Sequence, residues 1–104
     1  MFNLDNPHQF FREDDDNGET ICSWTMDKIK RKDATVWIMS HFFINPKIDS
    51  IKILHKQMAT VMFIAQESHL PVWPLDPLVI KYFEKHSEFH SIWYHKPNPA
   101  NKNI

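Results

Sequence analysis

Few residues in this chain could do chemistry, and each has a structural explanation beside the chemical one. His41 lies in a strand-like segment and offers a side chain suited to taking up or giving a proton near neutral pH. A half-buried structural histidine fits the same pattern. Asp76 offers a carboxylate that could orient or deprotonate a polar group, yet Asp76-Pro77 is also a helix start: aspartate caps, and proline fits the first helical position. Tyr82 recurs with Val79 and Phe83 at helical spacing, which places it in a buried stripe. His86, His90 and His95 are spaced to bring two ring nitrogens together on a helix, but no cysteine or carboxylate of suitable spacing completes a set of ligands. No metal is expected. Cys22 is the single cysteine, which excludes an internal disulfide, and it reads as core.

The elements that must position these residues follow from periodicity. Residues 8–13 read as a short strand. The turn at Asp14-Asp15-Asp16-Asn17-Gly18 carries an Asn-Gly pair suited to positive φ. Residues 19–30 alternate, with Cys22, Trp24 and Met26 on one face. Residues 35–44 are apolar on both faces: Val36, Ile38, Phe42 and Ile44 on one, Trp37, Met39, His41 and Phe43 on the other. Such a strand needs cover on both sides, by a helix on each face or by one helix and an extra layer. A helix is expected over residues 51–67, with Ile51, Leu54, Met58, Val61, Met62 and Ala65 inward and Asp49 or Ser50 as its cap. Residues 72–75 form a short strand, and the second helix follows from Asp76 with Leu78, Val79, Tyr82, Phe83 and His86 as its stripe. Phe89, Ile92 and Trp93 add a short helix or an edge strand, and residues 96–104 a loose tail. The strand-helix-strand unit of residues 35–75 predicts a parallel pair with a right-handed crossover. The fold class expected is α/β (α+β): a mixed, mostly antiparallel sheet with a central parallel pair and two main helices, in one domain over residues 1–95.

Composition narrows the function. Twelve Lys and Arg nearly balance thirteen Asp and Glu, for a net charge of -1. No basic stripe interleaves Trp24, Trp37, Trp73 and Trp93, so nucleic acid is not the expected partner. No positively charged apolar leader opens the chain and no apolar run is long enough for a membrane span, so no membrane association and a cytoplasmic location are expected. Gly18 is the single glycine. A phosphate cradle of glycine-rich backbone has almost none to draw on.

Three stretches in order resemble the small single-domain proteins of the GNAT N-acetyltransferase superfamily. Ser40-His41-Phe42-Phe43-Ile44-Asn45-Pro46 is similar to that group's "H-T-F-V-x-P" strand end. The amphipathic helix follows. The most specific stretch runs from Val72-Trp73-Pro74-Leu75-Asp76-Pro77 through Val79, Tyr82, Phe83, Lys85 and His86 to Phe89, and is similar to "P-L-C-x-x-V-x-x-Y-[FI]-x-K-[HN]-P-E-[YF]". The resemblance implies acetyl-CoA binding and acetyl transfer to a small amine or a protein amine. It implies pantetheine on the backbone of Phe43, Ile44 and Asn45, between two parallel strands that splay apart. It implies pyrophosphate on Ser50, Ile51, Lys52, Ile53 and Leu54 at the helix N-terminus. It makes Tyr82 the candidate general acid toward the leaving thiolate, with His41 and Asp76 as the other candidate catalytic residues.

The chain departs from the family at the loop "R-G-x-G-[IL]-[AG]", which falls on Asp49-Ser50-Ile51-Lys52-Ile53-Leu54. The arginine and both glycines are absent. Asp49 puts a carboxylate where phosphate would sit, and as a cap it would take the amides itself. Ile51 and Ile53 are β-branched and disfavour positive φ. Lys52 compensates as a point charge. Weak CoA binding is the expectation, and a non-catalytic binding module that has lost acetyl-CoA use is the alternative. Asp76 also replaces a cysteine common in the group.

Overall fold

The computed structural model describes residues 5–94; the tail expected over 96–104 and His95 lie outside them. The described chain is a small α+β domain. Its elements run β1 (His8–Asp14), β2 (Thr20–Lys30), β3 (Thr35–Ile44), α1 (Ser50–Ser68), β4 (Val72–Pro74), α2 (Pro77–Lys85) and a short 3-10 helix (Ser87–Ile92). The four strands form one mixed sheet in the order β1-β2-β3-β4. β1, β2 and β3 pair antiparallel, and β3 pairs parallel with β4. The parallel pair therefore closes one end of the sheet rather than occupying its centre. Beyond β4 there is an isolated parallel bridge from Val72 to Trp93. Gly18 takes φ 82 in the β1–β2 turn, where a side chain would be strained.

The core lies between the sheet and both helices. Trp24, Met26, Trp37 and Met39 meet Leu54, Met58, Val61, Ile64 and Ala65 of α1, and Val79, Tyr82 and Phe83 of α2, in one buried cluster closed by Phe89. Both helices thus serve the same face. The cover expected over the other face is not supplied there by a helix: Phe10 is 60% exposed and Phe43 45% exposed. At the β4 edge, Trp73 meets Tyr94 edge-on at 5.5 Å, with the Arg31 guanidinium 4.5 Å above the Trp73 ring.

The simple alternation expected of β3 fails at one point. Ser40 to Phe43 opposes Thr25 to Ser23, so β3 carries one extra residue there. His41 absorbs the bulge at φ 55. Trp37 and Met39 face the core before it, and Phe42 and Ile44 pack against the same core after it. The bulge exchanges the faces, so Phe42 and Ile44 do not share a face with Val36 and Ile38.

The α1 stripe also differs in detail. Ile51, expected inward, is 79% exposed, and its neighbours Ser50 and Lys52 in the first turn are exposed with it. Gln57 and Ile64 are buried instead. Gln57 is held by a hydrogen bond from the Trp24 indole N–H to its Oε1, at 2.9 Å. A polar side chain is stable in the core only with such a partner.

Candidate functional site

Two junctions shape the site. The first is where β3 and β4 part. They pair over Trp37–Met39 and Val72–Pro74, and Leu75 N–H still donates to the Met39 carbonyl at 3.1 Å. Beyond that, β3 continues for five residues without β4 beside it. Proline at position 74 has no amide hydrogen, the bulge bends β3, and Asp76-Pro77 turns the other strand into α2. The second junction is the α1 N-terminus. Asp49 caps it, its Oδ1 accepting from the Ile51 N–H at 3.2 Å. Asp76 caps α2 in the same way, accepting from the Leu78 N–H at 2.8 Å.

Between α1 and α2 lies an open cleft of about 690 Å³. Its apolar wall comes from Ile51 and Leu54 of α1 and Leu78 of α2. Its polar groups are Asp49, Lys52 and His55 on one side and Lys81, Tyr82, Lys85 and His86 on the other. The α2 set falls at positions i, i+3, i+4, i+7 and i+8 from Leu78, which is one face of a helix. Asp49 is the single carboxylate lining the cleft, against three lysines.

Tyr82 is the best-fixed polar group there. Its hydroxyl lies 2.7 Å from His55 Nδ1. Its ring stacks on His86 at 3.8 Å between centroids and 11° between planes, and meets Phe89 edge-on at 5.3 Å. His86 Nδ1 is 2.9 Å from the Tyr82 carbonyl, which can only accept, so that nitrogen carries the hydrogen and Nε2 is left for the cleft side. Burial, and then the Glu88 carboxylate, push the Tyr82 phenol above its ordinary value of 10.0. The phenol therefore keeps its proton at neutral pH, and its hydroxyl shares a hydrogen bond with His55 Nδ1.

The sequence-predicted site residues are only partly gathered. Tyr82, Ile51, Lys52 and Leu54 line the cleft, together with Asp49. Ser50 opens α1 exposed, and Ile53 N–H turns back to the Asp49 carbonyl at 3.4 Å. Asn45 is buried; its backbone N–H donates to Ile21, its Nδ2 to the Thr20 carbonyl, and its Oδ1 accepts from Lys47 N–H. Asn45 is thus engaged in holding the β3–α1 turn. Ile44 packs on the core, and Phe43 is exposed on the opposite face. His41 lies exposed on the sheet face away from the helices, its Nδ1 3.0 Å from Ser40 Oγ and 3.4 Å from Thr25 Oγ1. Asp76 is occupied with its cap. The three candidate catalytic residues are therefore not brought together.

His55 is the residue that sequence reasoning missed. The available signal was its place one turn beyond Lys52 on the flank of α1, beside the apolar stripe. Among the described residues, no group of three or more His, Cys, Asp or Glu side chains is placed to hold a metal. Cys22 is buried, with its thiol pushed above its ordinary value of 9.0 chiefly by burial. No helix of the described residues is long and apolar enough to cross a membrane. No protein-family model matches the chain, and no curated protein sequence matches it.

Proposed function

We propose that this chain is a small GNAT-like N-acetyltransferase-type domain that binds an acyl-CoA between α1 and α2 and transfers acetyl to an amine. The observation that carries the reading is Tyr82, a protonated phenol held by His55 on the wall of an apolar cleft that opens at the α1 N-terminus. The end of the β3–β4 ladder at Met39 supports it, since the β3 backbone beyond has no β4 partner. An acyl-CoA supplies the activated thioester carbonyl. Tyr82 holds the proton that the leaving sulfur needs. The amine nitrogen bonds to the carbonyl carbon as the C–S bond breaks, the sulfur takes the Tyr82 proton, and the amine's surplus proton passes to solvent, from which the phenol is reprotonated; the hydrogen bond with His55 orients the hydroxyl. Leu54, Leu78 and Ile51 give the cleft an apolar wall against which the ligand's apolar part can pack.

A second reading, a non-catalytic binding module, is favoured by one observation. The Asp49 carboxylate already takes the Ile51 amide that a phosphate would use. Both readings are tested by titrating the protein with acetyl-CoA by calorimetry, then following release of free thiol with a panel of small amines and an amine-bearing peptide. Weak binding with amine-dependent thiol release is expected. Binding without thiol release moves the chain to the second reading, and no binding even at millimolar ligand removes both.

A further inference from the structure

The walls of the α1–α2 cleft carry Lys52, Lys81 and Lys85, and none of the three pairs with an acidic residue among those described. Lys81 and Lys85 stand four apart on one face of α2, an arrangement of like charges that weakens a helix. Lys52 adds a third charge from α1. Glu84 lies on α2 as well, but it does not line the cleft. Three lysines around one open, largely apolar cleft give it a positive rim, and a positive rim attracts an anion. Beside them lie surfaces of a different kind: the stacked pair of Tyr82 and His86, and the apolar side chains of Leu54 and Leu78, the latter 41% exposed. The site joins a cationic rim to a flat, apolar wall.

We infer that Lys52, Lys81 and Lys85 form a phosphate-binding rim, and that the ligand's phosphates are held by these side chains instead of by backbone amides at the α1 N-terminus. The ligand class is a nucleotide carrying more than one phosphate, with its base against the apolar and aromatic wall. The inference rests on the acyl-CoA reading for the identity of the whole ligand, but its own ligand is the phosphorylated nucleoside end. It also gives Asp49 a place compatible with binding. The carboxylate can remain a helix cap, because the anion is drawn toward α2.

The test compares CoA with adenosine 3′,5′-bisphosphate, which has no pantetheine and no thiol, by calorimetry at low and high salt. The variants are Lys81→Gln with Lys85→Gln and, as a control of equal charge change outside the cleft, Lys30→Gln with Lys32→Gln. All four lysines are exposed, so both variants should fold, which circular dichroism verifies. Both ligands should bind the unaltered protein, and less tightly at high salt. The cleft variant should lose roughly ten- to a hundredfold in affinity for both ligands. The control should stay within about twofold, as distant exposed charges are screened. Failure of the bisphosphate to bind, or equal losses in both variants, overturns the lysine rim. CoA binding untouched by the lysine changes also overturns it, and leaves the acyl-CoA reading standing. Lysine-dependent binding of the bisphosphate without any acetyl transfer upholds the rim and sinks the transferase reading.

Discussion

At the scale of single residues, Tyr82 and His41 make opposite predictions. Tyr82 touches the cleft, is protonated and is held at a fixed angle by His55 and His86. Tyr82→Phe keeps the stacking and removes the proton. Acetyl transfer should fall by about 10²-fold or more, with CoA affinity changed by less than about threefold. A drop in affinity of the same size as the drop in turnover would show a packing role instead. His41 faces away from the helices and carries φ 55, a conformation that asparagine tolerates and a β-branched residue does not. His41→Asn should leave turnover unchanged, and His41→Val should lower stability by about 1–2 kcal/mol in urea unfolding. Loss of turnover in His41→Asn would restore that histidine as the base. Tyr82 is legible in the sequence through its place in the closing helix. Its partner is not, because His55 and Tyr82 are 27 positions apart and only the packing angle of two helices brings them to 2.7 Å. His41 misled for a local reason: strict alternation turns it toward the core, and a one-residue bulge turns it away.

At the scale of elements, the succession of strands and helices, the hairpin turn, both helix starts and the parallel crossover are legible, since each rests on short-range chemistry: alternation, an Asn-Gly turn and two aspartate caps; the place of the parallel pair at the sheet's end is not. The depth of each helix over the sheet is not, which is why Ile51 comes out exposed and Gln57 buried. The capping of α1 has a functional consequence that can be isolated. Asparagine caps a helix about as well as aspartate but carries no charge. Asp49→Asn should therefore keep the thermal midpoint within a few degrees while CoA binds about three- to tenfold tighter, by removal of a like charge near the phosphates. Asp49→Arg with Ile51→Gly adds a charge-assisted partner and a freed amide at the α1 N-terminus, so a further gain of about 1–3 kcal/mol is expected if the phosphates sit on those amides and none if the lysine rim holds them. Unchanged or weaker binding in both variants, with the fold intact, would mean that Asp49 does not oppose the ligand. The cap of α2 serves as the comparison. Asp76→Ala should cost about 1 kcal/mol in urea unfolding and leave CoA affinity alone, because Asp76 does not line the cleft.

At the scale of the whole molecule, four titrating groups in separate parts of the fold act on stability in the same direction. The Cys22 thiol on β2 is raised above 9.0 by burial first and then by Glu13. The Tyr82 phenol on α2 is raised above 10.0 by burial and Glu88. Tyr94, beside the β4 edge, is raised above 10.0 first by its hydrogen bond to Asp33, at 2.7 Å, and then by desolvation. Lys56 on α1 is raised above 10.5 by its hydrogen bond and charge pairing with Glu13 on β1, at 2.9 Å. In each case the folded state holds its proton more tightly than the unfolded chain does. The stability linked to these protons is fully present below the ordinary values and is lost as the pH climbs through the raised ones. Because the groups sit on β2, on both helices and beside the sheet edge, the loss should appear as one cooperative weakening and not as fraying at one end. The urea midpoint should therefore fall as the pH climbs from about 9 to about 11.5, with a single transition by both tryptophan fluorescence and circular dichroism. Tyr94→Phe removes one of the four groups and should flatten part of that fall, while its midpoint at the lower pH drops with the lost Asp33 contact. A midpoint that is constant or rising over this interval would show that these protons are held no more tightly in the folded chain than in the unfolded one.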